Sequence, residues 1–136
     1  MRGLVPQLHQ LYHRFREQVC FVTIYIKEAH SIDGWPIGSR FSHAQPTTTT
    51  ERLVLAKQLQ KEFAFEIPIL IDPPEKQDAF EAAYAPWPLR FFVVSSSPSR
   101  RLTYIAQPLQ GSFLVSSLEA ALLQVIQPQP QQNQSL

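Results

Sequence analysis

The chain has 136 residues, 44% of them hydrophobic and 17% charged, with a formal charge of +1. That balance supports one compact core and supplies no basic patch for nucleic acid. No apolar run approaches the roughly 20 residues that cross a bilayer, and the leading MRGLVPQLHQ lacks the apolar segment of a signal peptide. The single cysteine, Cys20, excludes an internal disulfide, a CxxC redox pair and a zinc knuckle. These limits describe a soluble, cytoplasmic α/β domain.

Residues 3–17 have the periodicity of an amphipathic helix, with Leu4, Leu8, Leu11, Tyr12 and Phe15 on one face. Pro6 is tolerable near the first turn, where its missing N–H would be unpaired anyway. His9 and His13 lie one turn apart on the other face. With Gln10 where a zinc protease carries glutamate, and no third ligand nearby, they read as a solvated face rather than a metal pair.

Val19–Lys27 is rich in Val, Phe, Ile, Tyr and Thr, and predicts a strand. Apolar at nearly every position, it is expected to be buried on both faces, as a central parallel strand is. Cys20, at its start, is expected to be a small core residue. Just past the strand come Glu28, His30, Asp33, Gly34 and Trp35, and crevices in open parallel sheets lie beyond the carboxyl ends of strands. The whole of Glu28–Gln45 is long and rich in Gly and Pro, the mark of a functional loop or a mobile one.

Thr48 and Glu51 have capping-box spacing and open a second helix, with Leu53, Ala56, Leu59 and Phe63 as its expected buried stripe. Ile67–Ile71 predicts a second short buried strand, stopped by Asp72-Pro73-Pro74. A third helix is expected from Pro74 or Glu75 to about Tyr84, with Ala79, Phe80, Ala83 and Tyr84 inward. Pro86-Trp87-Pro88 then brakes the chain before Arg90–Val94. With Leu102–Ala106 that run forms a predicted antiparallel hairpin across the polar turn Ser95–Arg100. Ser116 and Glu119 form a second predicted capping box, opening a last helix through Ile126 with Leu118, Leu122 and Val125 inside. Gln127–Leu136 (QPQPQQNQSL) is polar and low in complexity and is expected to be disordered.

Helix, strand, helix, strand, helix, hairpin, helix is the order of the later part of a thioredoxin-like fold: a mixed β-sheet flanked by helices, here lacking the usual first strand. Residues 1–126 are the expected domain and 127–136 its tail. In that fold the loop after the first strand carries a thiol or selenol at a helix N-terminus, which lowers a thiol's pKa.

The run YIKEAHSIDGW resembles the signature of the iodothyronine deiodinase family, close to YIEEAHxSDGW. Tyr25, Ile26, Glu28, Ala29, His30, Asp33, Gly34 and Trp35 all fit it. Gln45-Pro46, Glu51-Arg52-Leu53, and Tyr84 followed by Pro88 and Arg90 extend the match, which runs from about Leu4 to Ile126 and looks like that of a bacterial-type member. The resemblance implies reductive removal of iodine from an aromatic ring by a cysteine or selenocysteine with a thiol reductant, and no other cofactor.

By position, His30 would hold or protonate the substrate phenol and Glu28 would orient that imidazole. Arg90 would clamp the substrate's carboxylate, and Asp33, Trp35 and Pro88 would complete the substrate side. Pro88 stands about where thioredoxins use a cis-proline. The nucleophile's position would fall before Met1, so an upstream cysteine or selenocysteine is expected. The second histidine of vertebrate members matches a column near Pro46, and His43 is out of register. The implied partners are a small aromatic substrate and a thiol reductant, with no nucleic acid and no membrane; a homodimer is compatible.

Other readings stay open at this point. His30 could be a structural histidine bonded to Asp33 or a backbone carbonyl, and Arg90 could pair with Glu28 or Asp72. The chain could likewise be a non-catalytic binding or regulatory module, a general thiol redox protein, or a truncated product that is only marginally folded.

Overall fold

A computed structural model describes residues 3–34, 43–96, 98–106 and 114–127. Its elements are α1 (Leu4–Phe15), β1 (Thr23–Tyr25), α2 (Thr49–Phe63), β2 (Ile69–Ile71), a 3-10 turn (Pro74–Lys76), α3 (Ala79–Tyr84), β3 (Phe91–Val94), β4 (Leu102–Ala106) and α4 (Val115–Ile126). This is a mixed α/β chain, and among the described residues its strands form two two-stranded sheets, β1–β2 parallel and β3–β4 antiparallel. It divides into two compact units, Met1–Arg90 and Phe91–Leu136.

In the first unit β1 and β2 run in register, Thr23 beside Ile69, Ile24 beside Leu70 and Tyr25 beside Ile71. The ladder extends by Thr23 N–H to the Pro68 carbonyl (2.8 Å) and Asp72 N–H to the Tyr25 carbonyl (3.0 Å). Beneath the amino-terminal end of this pair, Val5, Phe65 and Ile67 form a buried cluster. Leu8 and Tyr12 of α1, Leu59 and Phe63 of α2, and Phe21 and Ile69 pack against it. The expected stripe of α1 is therefore real: Leu11 and Phe15 are buried with Val5. Its opposite face is not merely solvated, because His13 pairs with Glu66 (2.5 Å) and His9 rests on Phe65 while accepting the Glu66 N–H.

β1 is shorter than Val19–Lys27, and all three of its residues are half-buried rather than buried on both faces. In a two-stranded pair a strand has one bonded neighbour, which shields it less than two would. Cys20 is exposed, not a core residue, because it lies in the lead-in to β1, outside the ladder.

The capping box of α2 forms as expected. The Thr48 hydroxyl accepts the Glu51 N–H (3.2 Å), and the Glu51 carboxylate accepts the Thr48 N–H (3.2 Å). The buried stripe differs: Leu53 is 40% exposed, whereas Arg52 is 1% exposed. Arg52 stands four residues before Ala56, so it occupies the first rung of the Ala56, Leu59, Phe63 face.

The expected helix from Pro74 or Glu75 to Tyr84 is two pieces. Gln77 (φ 59°) and Asp78 (φ 48°) take left-handed backbone and interrupt it. α3 restarts at Ala79 because the Asp72 carboxylate accepts the N–H groups of Phe80 (2.9 Å) and Glu81 (3.0 Å). Ala79, Ala83 and Tyr84 are exposed, contrary to their expected inward placement; Phe80 is half-buried and its ring stacks on that of Tyr84.

In the second unit the hairpin pairs Phe91 with Ala106, Phe92 with Ile105 and Val93 with Tyr104, then slips at Val94, which faces Leu102. The Thr103 hydroxyl donates to the Val93 carbonyl (3.2 Å) at that irregularity. α4 packs on both strands through Val115, Leu118, Ala121 and Leu122. The Ser116–Glu119 capping box does not form. The helix begins two residues earlier than that box would place it, at Val115, with Leu114 at its N-cap and no side-chain cap, because burial of Val115 extends the helix past the polar signal. Residues 128–136 of the expected tail lie outside the described residues.

Candidate functional site

The last residue of β1, Tyr25, turns its phenol onto the carboxylate of Glu28, which accepts its hydroxyl hydrogen. Burial first, and then the hydrogen bond and charge of Glu28, hold the Tyr25 pKa far above the usual phenol range, with the Arg52 charge acting the other way. The anionic carboxylate gains from a donor that does not itself ionise.

Glu28 is also held by its backbone. Its N–H donates to Gln45 Oε1 (2.8 Å), and Gln45 Nε2 donates back to the Glu28 carbonyl (3.0 Å). A reciprocal amide pair fixes orientation as well as distance, since both bonds must align at once. The Gln45 N–H reaches the Asp33 carboxylate (3.0 and 3.2 Å), and the Ile32 N–H donates to the His43 carbonyl (2.9 Å). The two ends of the long loop are thus tied together by the end of the loop itself.

The turn inside that tie is tight. Gly34 N–H donates to the Ser31 carbonyl (3.1 Å), and a Cβ on Gly34 would stand 2.7 Å from Ser31 Oγ, closer than a side chain tolerates. Ser31 is buried, and its hydroxyl, followed by the Gln45 N–H, holds the Asp33 carboxyl below the usual carboxylate range. His30 sits on the exposed side of this turn. Glu28, His30 and Asp33 therefore share one turn at the carboxyl end of β1, as their spacing implied. The donor given to the Glu28 carboxylate is Tyr25, and Asp33 bonds Ser31 and Gln45. Trp35 lies outside the described residues.

The other expected residues belong to the segment after α3. The Trp87–Pro88 peptide bond is cis, and Pro88 is exposed. Arg90 is half-buried and donates to the carbonyl of the preceding residue, Leu89 (2.7 Å), and among the described residues it is not bonded to Glu28 or Asp72.

A polar cluster that the sequence did not suggest, buried at Arg52 and Asp72, half-buried at Lys27 and exposed at Glu75, adjoins the β1–β2 end. Arg52 Nη1 donates to the Asp72 carbonyl (2.5 Å) and pairs with Asp78 (2.6 Å). Lys27 pairs with Glu81 (2.5 Å), and Glu75 accepts the N–H (2.8 Å) and hydroxyl (2.5 Å) of Thr49 at the start of α2. Arg52 and Gln45 had a weak sequence signal, since both fall within the family match, but nothing local gave them a role. Cavities of about 290 and 530 Å³ border α1, lined by Val5, Pro6, Glu62 and Phe63 and by Pro6, His9, Gln10, His13 and Arg14. They are open and lie away from Glu28 and His30, so the turn rather than a cavity is the candidate site.

Among the described residues no group of three or more His, Cys, Asp or Glu is placed to hold a metal. No helix there is long and apolar enough to cross a membrane. The chain's residues 3–124 match the family model described as iodothyronine deiodinase.

Proposed function

Because the chain belongs to the iodothyronine deiodinase family, we propose that it serves thiol-dependent reductive dehalogenation of an iodinated phenol such as an iodothyronine, on a thioredoxin-like fold. The observation that carries this reading is an exposed imidazole, His30, on a turn whose two ends are fixed by Gln45 next to an anchored carboxylate, Glu28.

In the balanced reaction an aryl C–I bond breaks and an aryl C–H bond forms, while two thiols become a disulfide and release iodide and a proton. His30 holds the phenol and carries the proton, because an imidazole offers a donor and an acceptor nitrogen. Glu28 supplies negative charge next to it. Arg90 offers a planar fork to the substrate carboxylate, with Asp33, Trp35 and Pro88 bordering the substrate. The nucleophile is a thiol or selenol other than Cys20, and the reductant is an external thiol, with no further cofactor. The protein works in the cytoplasm, alone or as a homodimer.

The test is iodide release from an iodothyronine in the presence of a dithiol, comparing an upstream-extended protein that carries the nucleophile with its His30→Ala variant. Loss of release at an unchanged melting temperature is expected, since the side chain is exposed. Binding of 4-iodophenol without release would assign the chain to binding instead, and a large fall in melting temperature with intact release would make His30 structural.

A further inference from the structure

Among the described residues Arg52 is the one large side chain that is fully buried, and a guanidinium in that position costs several kcal/mol unless its surroundings compensate. Its compensation is incomplete. One nitrogen, Nη1, makes both bonds, to the Asp72 carbonyl and to Asp78, and among the described residues Nε has no partner. Apolar residues at this rung would pack on Ala56 without that cost, so a purely structural account leaves the charge unexplained.

The contacts of Arg52 close into a ring. From Arg52 the chain of bonds passes to the Asp72 carbonyl, and the Asp72 N–H donates to the Tyr25 carbonyl. The Tyr25 hydroxyl donates to Glu28, and Glu28 exchanges two bonds with the Gln45 amide. Gln45 leads through Pro46 and Thr47 into the capping box of α2, the helix that carries Arg52. Glu28 is therefore gripped from two sides, by Tyr25 from the strand and by Gln45 from the helix lead. Arg52 is the tie that fixes the strand's end relative to that helix.

We propose that Arg52 is a positioning residue for the candidate site, holding β1 and α2 at the separation that lets Tyr25 and Gln45 grip Glu28 together. A charge does this better than an apolar side chain because its bonds to a carbonyl and a carboxylate are directional. The proposal deepens the reading above and rests on it only where ligand binding is concerned.

The test uses the whole chain labelled at tyrosine ¹³Cζ, with the Tyr25 signal assigned by Tyr25→Phe. In the wild type that signal should carry the shift of a phenol that donates to a carboxylate, and the shift should be lost in Glu28→Ala. Folded Arg52→Met should lose the shift too, its Tyr25 signal moving toward that of the exposed Tyr84, while Arg52→Lys should retain it in part. Where Arg52→Met fails to fold, Arg52→Gln, which keeps a polar stem without the charge, is read the same way. A folded Met or Gln variant that keeps the wild-type signal overturns the proposal, even if its melting temperature falls.

The second arm measures 4-iodophenol affinity, expected to weaken roughly tenfold in Arg52→Met, as for loss of a charge-assisted hydrogen bond. A wild type that binds no iodophenol refutes the functional reading alone, because the tyrosine signal still decides the role of Arg52.

Discussion

At its amino-terminal end the β1–β2 pair rests on apolar packing: Val5, Phe65 and Ile67 ringed by side chains from α1 and α2. At its carboxyl end the same two strands are held by hydrogen bonds and ion pairs, through Tyr25–Glu28, Glu28–Gln45, Asp33–Gln45 and Arg52–Asp72–Asp78. The difference separates two jobs. Apolar burial is non-directional and scales with area, so it supplies stability and tolerates some adjustment. Hydrogen bonds weaken steeply with misalignment, so they hold particular atoms in particular places. The end that binds atoms by direction is the end that carries the candidate site.

The comparison is broken most severely by attacking the apolar end. Phe65→Ala should remove about 3–5 kcal/mol of stability, measured by urea denaturation, through lost burial and the cavity left behind. The 4-iodophenol affinity of the molecules that remain folded should stay the same. A parallel loss of affinity would show that the two ends are not separable.

Gln45→Ala should do the reverse. It deletes both side-chain bonds to the Glu28 backbone, a loss of about 1–2 kcal/mol for partly buried neutral hydrogen bonds, yet it should weaken 4-iodophenol binding more than Phe65→Ala does. Equal effects of the two variants on binding would contradict the division. Thr48→Ala is smaller, about 1 kcal/mol from the lost cap of α2, and should leave binding close to wild type because the Gln45 amide pair survives. Thermal melts and a binding titration on the same sample would check both halves of that expectation.

The finest test uses pH. The Tyr25 phenol has its pKa raised in the folded protein, by burial first and then by its bond to Glu28. Folding therefore favours the protonated phenol. Its contribution is full below the unfolded pKa of about 10 and is lost as the pH climbs above it. Wild-type stability should fall between urea melts taken just below and just above that pH, and Tyr25→Phe should fall less. An identical alkaline loss in the variant would show that other groups govern it.

The sequence was most legible where local chemistry and burial agree. The Thr48–Glu51 capping box, the α1 stripe of Leu11 and Phe15, and the β3–β4 hairpin form as their residues imply. The turn uniting Glu28, His30 and Asp33 was legible too, because Asp-Gly after an apolar strand is turn chemistry and three close positions cannot be far apart.

Local rules failed where a distant group intervened. Ser116 and Glu119 had the right spacing, but burial of Val115 moved the start of α4. The stretch from Pro74 to Tyr84 had helical composition, but Asp72 reached forward to cap at Phe80 and Glu81 and divided it.

What the sequence by itself determined is the family, the order of elements and the presence of an acid–imidazole turn after the first strand, all properties of neighbours along the chain. Tertiary structure alone decided what holds that turn. A buried Arg52 at the rung expected for an apolar residue, and a Gln45 that closes a loop from its far end, acquire meaning only when residues some twenty positions apart are brought within hydrogen-bond reach. Spacing along a helix says which residues share a face, but the partner that compensates a buried charge is chosen in space, where no local pattern records it.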